Sequence, residues 1–255
     1  MTVVATVGTT HPLAFAGLAF AVLALADEGV RPVCVVAGVT AQDGARVTAR
    51  APIDAATILA QFAALREANV DAFHIGALLS AEAVRAVAGA LADYPRVPVV
   101  LDPVLAASNG DLLGDAAVRT ALRDALIPRA TLVTPNLDEA GALLDRTIAD
   151  VEAMRDAASA FVALGAHAAL IKGGHLDGDP HDVYADANGL RTLPSRRVAG
   201  TLRGTGDLLA VTIAACLGRG ASLGEAIEHA RHRVRETIAR ATPFAGTHAA
   251  TFENA

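Results

Sequence analysis

Four residues late in the chain, Gly204-Thr205-Gly206-Asp207, have the types and spacing to hold a phosphate and move a proton. They precede Leu208 to Leu217, a run that is apolar or small on every side, with Thr212 its one side-chain hydroxyl. As a helix this run has no solvent face and belongs inside the fold. The first turn of a helix carries unpaired N–H groups and the positive end of the macrodipole, and two glycines let an anion reach the backbone. Asp207 then has two readings. Asp is a favoured helix N-cap; alternatively, its carboxylate takes a proton from an alcohol while the neighbouring amides hold the phosphoryl group that the alcohol attacks.

The elements that must position these groups alternate along the chain. Strands are predicted at Val3–Val7, Val33–Ala37, Ala72–Ile75, Val97–Leu101, Thr131–Thr134 and Ala168–Ile171, with an edge strand at Ala45–Ala49. Helices are predicted over the apolar run from Pro12 to Ala26, and over Ile53–Ala68, Ser80–Leu91, Ala116–Leu126, Asp138–Leu144 and Asp150–Leu164. Asp182–Ala185 and Arg191–Leu193, around Asn188-Gly189, read as a hairpin. Ser222 with Glu225 forms a capping box for a last helix that carries Ile227, Ala230, Val234 and Ile238 on one face. The expected architecture is a single three-layer α/β/α domain over residues 1–245 with a mainly parallel sheet, followed by a frayed tail over 246–255.

In such sheets ligands bind beyond the carboxyl ends of the strands. The polar groups that could do chemistry fall there: Gly8 after the first strand, Gln42 after the second, Asp102 after the fifth, Asn136 and Glu139 after the sixth, and Lys172-Gly173-Gly174-His175 after the seventh. Neither GxxxxGK[ST] nor GxGxxG occurs, so a nucleotide would be held in another way.

Composition narrows the partners. The chain has 255 residues, 53% of them hydrophobic, enough for a substantial core. A net charge of −6 with no basic run, and 4% aromatic residues with no Trp, argue against nucleic acid and for a small-molecule ligand. Cys34 and Cys216 lie in apolar stretches and are expected to be reduced core residues. Pro12–Ala26 has the length of a signal-peptide apolar region and ends in Ala-Leu-Ala. No Lys or Arg precedes it and cleavage would remove the first strand, so the expected location is cytoplasmic. The run is too short to span a membrane.

Four blocks in this order, VVLDPVLAASNGDLL (Val99–Leu113), TPNLDEAGALL (Thr134–Leu144), LIKGGH (Leu170–His175) and GTGD (Gly204–Asp207), resemble the ribokinase-like superfamily. Within it they resemble the hydroxymethylpyrimidine and phosphomethylpyrimidine kinases of thiamin biosynthesis, over about Val3 to Ile238. The resemblance implies ATP-dependent phosphorylation of a hydroxymethyl group on a small heterocycle. It implies Asp207 as base and Gly204, Thr205 and Gly206 as the anion hole. Lys172 and Gly173 would meet ATP phosphates, Asn136 and Glu139 would form the N-x-x-E that organises Mg²⁺ together with Asp102, and Gly8, Gln42 and Val104 would contact the substrate. It also implies a homodimer, and places His175 in the nucleotide region.

Two departures bear on substrate choice. Asp207 stands where these pyrimidine kinases usually have Cys and where sugar kinases and many pyridoxal kinases have Asp. The first loop, GTTHPLAFAGLAFAV from Gly8 to Val22, lacks most of the family's polar pattern, with Ala21 and Ala19 on or near its Asp and Gln, and Leu13 and Phe15 in place of small residues. Gly76-Ala77-Leu78 replaces Gly-Met-Leu and would enlarge one wall. His11 and His74 are candidates for lining the pocket. The alternatives are a pyridoxal-type kinase of the same superfamily, or a non-catalytic sensor that keeps the fold.

Overall fold

Short runs of Val, Ile, Leu and Ala bounded by Gly or Pro become the inner strands, because only a fully buried strand tolerates apolar residues on both faces. The computed structural model describes residues 1–43, 45–174, 176 and 178–252. Its strands are β1 (Val3–Thr10), β2 (Arg31–Gln42), β3 (Val47–Pro52), β4 (Ala72–Ile75), β5 (Val99–Leu101), β6 (Leu132–Val133), β7 (Ala168–Ile171), β8 (His181–Asp186) and β9 (Gly189–Pro194). They form one sheet in the order β3-β2-β1-β4-β5-β6-β7-β8-β9. Pairing is parallel from β2 through β7, and antiparallel at β2–β3, β7–β8 and β8–β9.

Helices cover both faces. On one, α2 (Ala55–Ala64), α3 (Ala81–Ala90), α4 (Ala116–Ala121), α5 (Leu137–Leu144) and α6 (Val151–Ala163) pack on Val7, Phe73, Ile75, Leu101, Val133 and Ile171. On the other, α1 (Gly17–Asp27), α7 (Thr205–Gly218) and α8 (Leu223–Arg240) pack on Val4, Ala72, Val100, Leu132 and Leu170. The chain is therefore three-layered α/β/α with a mainly parallel sheet. From Asp207 to Cys216 every residue of α7 is buried. No helix among the described residues is long and apolar enough to cross a membrane.

Several expectations need correction. The first helix starts at Gly17, not Pro12. Residues 11–16 are a loop in which Ala14 has φ 50° and which ends at Gly17 with φ 69°; a Cβ on Gly17 would lie 2.6 Å from the Thr9 carbonyl oxygen. The predicted helix over Ile53–Ala68 ends at Ala64 and continues only as a 3₁₀ turn. Cys34 is exposed rather than in the core. The charged residues Arg231 and Arg233 of the last helix, which read in sequence as a solvated face, are instead engaged with other elements. The Arg231 side chain is 6% exposed and bonds Asp182 at 2.9 Å, while Arg233 pairs with Asp27 and Glu28.

Residues 246–252, expected to fray, are ordered. β10 (Thr242–Phe244) and β11 (Thr247–Ala249) form a hairpin across Ala245 and Gly246, which take φ 45° and 79°, as a two-residue hairpin turn requires. Phe244 packs edge-on against Phe15 and Phe252 against Phe20. Aromatic contact supplies what composition alone did not reveal.

Because α7 has no exposed face, its packing sets much of the stability. Ile213, fully buried, changed to Ala should lower the unfolding free energy by about 2–5 kcal/mol, measured by urea titration with an unchanged m-value.

Candidate active site

The strand order reverses between β1 and β4: the chain leaves β1 for β2 on one side and reaches β4 on the other. A crevice opens beyond the carboxyl ends of such a pair. Here it is a cleft of about 630 Å³, open to solvent, and its lining includes Thr9, His11, Phe15, Gln42, Val104 and Asp207. Gly8 precedes Thr9 of the lining, and a Cβ on it would come only to ordinary contact distance from Ala77. The cleft is bounded by the β2–β3 hairpin and the loop after β5, which are tied across the gap. The Val47 N–H donates to Asp111 at 2.6 Å, Asn109 Nδ2 donates to the Ala45 carbonyl at 2.8 Å, and Arg50 donates to the Leu112 carbonyl.

At the floor stands the start of α7. Gly204 is its N-cap with φ 78° and no side-chain cap. A Cβ there would collide with the Phe15 carbonyl oxygen, so the turn requires glycine on two counts. The cap reading of Asp207 fails: it is the third helical residue, 9% exposed, and its carboxyl lies beside the Gly17 amide. The uncapped first turn leaves its amides facing the site. Gly206 lies against the next group, since a Cβ on it would be 3.0 Å from Lys172 Nζ and 3.3 Å from Asp102 Oδ2.

Lys172 Nζ donates to Asp102 Oδ1 at 2.7 Å, with Thr134 Oγ1 donating to the same oxygen at 3.1 Å. Asn136 and Glu139 form a full capping box at the start of α5, each backbone N–H donating to the other's side chain at 2.8 Å. Asn136 also bridges to Lys172 through the backbone. The N-x-x-E is thus both a helix cap and a carboxylate beside Lys172. Gly173 donates its N–H to Asp182 at 3.1 Å, and a Cβ on it would run into the His181 carbonyl oxygen. It is needed for close backbone approach, and its amide is already engaged. His175 lies outside the described residues.

The electrostatics follow from burial. Desolvation, with the Asp102 charge, pushes Asp207 up to about 7 against the pull of the Gly17 amide and Lys172. Desolvation likewise pushes Glu139 up to about 7, opposed by Lys172 and aided by Asp102 and Asp207. Burial alone would lower the Lys172 pKa, but Asp102, Glu139 and Asp207 outweigh it and hold the ammonium above its usual value. Three carboxyl groups thus face one ammonium.

No group of three or more His, Cys, Asp or Glu that could hold a metal occurs among the described residues. The set still fits Mg²⁺, which takes one or two carboxylates and completes its shell with phosphate and water. Added positive charge would relieve the crowding of Asp102, Glu139 and Asp207.

Sequence reasoning did not single out Asn109 or Arg203, which line the cleft together with Phe15. Arg203 adjoins GTGD, and that adjacency was the available signal. His74, a candidate for lining the pocket, does not line it: it lies within β4, 1% exposed, bonded through Nδ1 to Thr6 Oγ1 at 2.9 Å. Burial lowers it to about 4, so it is neutral.

The raised carboxyl pKa values carry a stability consequence. A carboxyl whose folded pKa exceeds its unfolded one holds more protons when folded, so stability falls as pH rises from about 4 to about 7. Asp207→Asn should therefore be more stable than the parent at pH 8, on the order of 1–3 kcal/mol, with the gap closing near pH 4. Denaturant titrations at both pH values measure this.

The chain has relatives among known proteins, both in sequence and in fold. The family model for phosphomethylpyrimidine kinase matches residues 14–251. The hydroxymethylpyrimidine/phosphomethylpyrimidine kinase of Rhizobium meliloti is 38% identical over 217 residues, covering 84% of this chain and 81% of the relative. The thiamine biosynthesis bifunctional protein ThiED of Geobacter sulfurreducens is 40% identical over 70% of this chain, which spans only 37% of that longer protein. Among solved structures, the phosphomethylpyrimidine kinase of Clostridium difficile 630 superposes with a TM-score of 0.83 and 26% identity over 93% of this chain and all of the other. Bacillus subtilis pyridoxal kinase, solved as an ADP complex, superposes with a TM-score of 0.90 and 26% identity over all of this chain and 98% of the other. With a family model matched from residue 14 to residue 251 and such relatives along most of its length, the chain belongs to the phosphomethylpyrimidine kinase family.

Proposed function

We propose that this protein transfers the γ-phosphoryl group of ATP to the hydroxymethyl oxygen of hydroxymethylpyrimidine, and to a phosphate oxygen of the monophosphate so formed. The observation that carries the reading is the buried Asp207 carboxyl at the floor of the cleft, beside an uncapped helix start and the Lys172–Asp102 pair. The named activities of the relatives supply the acceptor class, and the ADP complex of the B. subtilis neighbour supports nucleotide use.

In this reading the cleft holds the heterocycle with its hydroxymethyl group above Asp207. The hydroxyl oxygen attacks the γ-phosphorus, its proton passes to Asp207, and the bond from γ-phosphorus to the bridging oxygen breaks to leave ADP. The amides of Gly204, Thr205 and Gly206 and the Lys172 ammonium face the charge that develops on the phosphoryl oxygens. Gly206 has no side chain to intervene. Asp102 orients Lys172 through the 2.7 Å contact. Gln42, Val104 and the loop at Gly8 would border the ring.

Asp102 and Glu139 would hold Mg²⁺, which supplies charge neutralisation for the phosphates when bound. Lys172 and Asn136 would border the nucleotide phosphates, with Gly173 allowing close approach. A homodimer belongs to the same proposal. Exposed Val39, on β2, and Leu112, on the loop bonded to β3, are apolar side chains that such a contact could cover.

An ADP-release assay with Mg-ATP against hydroxymethylpyrimidine, its monophosphate and pyridoxal tests the reading. Turnover of the pyrimidines is expected, and turnover of pyridoxal alone would overturn the substrate assignment. Asp207→Asn should lower kcat by about 10²–10⁴ and leave ADP affinity unchanged by calorimetry. Because the base must be ionised, kcat/KM should rise with pH through about 7 in the parent enzyme.

A further inference from the structure

The loop from Gly8 to Gly17 offers only two polar side chains to the cleft, Thr9 and His11, of which His11 alone carries nitrogen. His11 lines the cleft and is 7% exposed. Neither of its ring nitrogens has a hydrogen-bond partner among the described residues. The Ala16 backbone lies beside the ring without reaching hydrogen-bond geometry. On the wall formed by the end of β2, Gln42 has the same character, its Oε1 buried and unpartnered among the described residues. Buried polar atoms are nearly always paired, and leaving one unpaired costs about 1–3 kcal/mol. Two such side chains lining one cleft are partners for something that enters it.

The chemistry of that guest follows from the two groups. Burial holds His11 below its usual pKa, the Ala16 backbone pulling the other way and the Arg203 charge adding to the lowering. A neutral imidazole has one N–H donor and one acceptor nitrogen, and Gln42 Oε1 is an acceptor. The ring of His11 is set by Phe15, whose centroid is 6.1 Å away at a 42° tilt, and Phe15 is backed edge-on by Phe244 of the C-terminal hairpin at 5.7 Å. The complement is a flat aromatic heterocycle with a ring-nitrogen acceptor and an exocyclic amine donor.

We propose that His11 is a specificity-determining residue that hydrogen-bonds a ring nitrogen of the substrate, adding to the contact with the same ring that the family resemblance already implies for Gln42. This rests on the phosphotransfer reading for the choice of ligand, but not on turnover for its test. Asp207 handles the alcohol; His11 and Gln42 read the other side of the ring. His11 therefore acts on binding and not on the chemical step.

The experiment is calorimetric binding of the amino-bearing hydroxymethylpyrimidine to the intact protein with ADP present, for the parent, His11→Phe and His11→Asn, with KM and kcat measured alongside. His11→Phe keeps an aromatic ring and removes both nitrogens. It should raise Kd and KM at least tenfold, leaving kcat within about twofold and ADP affinity unchanged. His11→Asn, which retains a donor and an acceptor, should recover part of the loss.

An unchanged Kd in His11→Phe overturns the proposal, as does a parent protein that does not bind the pyrimidine at all. Binding without phosphorylation, with the expected loss in His11→Phe, leaves the role of His11 standing and overturns the kinase reading instead. Should His11→Phe fail to bind ADP or to melt cooperatively, the imidazole nitrogen resonances of the parent decide. They should shift when the pyrimidine is added, and no shift overturns the proposal.

Discussion

The pair between Lys172 and Asp102 is the constraint on which the site depends. These residues follow β7 and β5, two positions apart in the sheet, and their 2.7 Å contact spans the carboxyl ends of the strands with only 2% of the Asp102 side chain exposed. Removing one partner of such a pair costs about 3–5 kcal/mol, because the other charge stays buried and unpaired. The surroundings are shaped to keep it intact. Thr134, between the two in the sheet, donates to Asp102, and Gly206 leaves the room that any side chain would occupy.

The same crowding poises the site. Glu139 and Asp207 share a desolvated space with Asp102, so both resist ionisation in the free protein. A site arranged this way gains most from the cations and proton acceptors that a phosphoryl transfer brings and consumes. Stability is held down at neutral pH by the same carboxyl groups that give the cleft its chemistry, a trade that functional sites commonly make.

The first loop does a different task. With Gly17 and Gly204 both in the left-handed region, the loop folds back onto the start of α7, bringing the Gly17 amide beside Asp207 and the Phe15 carbonyl against Gly204. What looks in sequence like an apolar helix from Pro12 is therefore partly the structure that fixes the base. The C-terminal hairpin completes this wall. The Arg203 N–H donates to the His248 carbonyl at 3.3 Å, and Phe244 seats Phe15, so residues read as a loose end buttress the residues around GTGD.

The sequence by itself determined the α/β class, the buried character of α7 with Asp207 at its start, and the strand ends at which Asp102, Asn136 and Lys172 lie, because these follow from local hydrophobic period, glycine punctuation and capping chemistry. The Ser222–Glu225 capping box was legible for the same reason, since its partners are three residues apart. Tertiary structure alone decided which of these groups touch. The ion pair joins residues 70 positions apart, Arg231 is buried through partners 37 to 49 positions away, and His74 is neutral because the sheet and α7 close over it. Contact across such separations is set by strand order and packing, which no local pattern encodes. The unpartnered nitrogens of His11 belong to the same class: a histidine in a loop becomes a reader of ligands only when the fold buries it without giving it a partner.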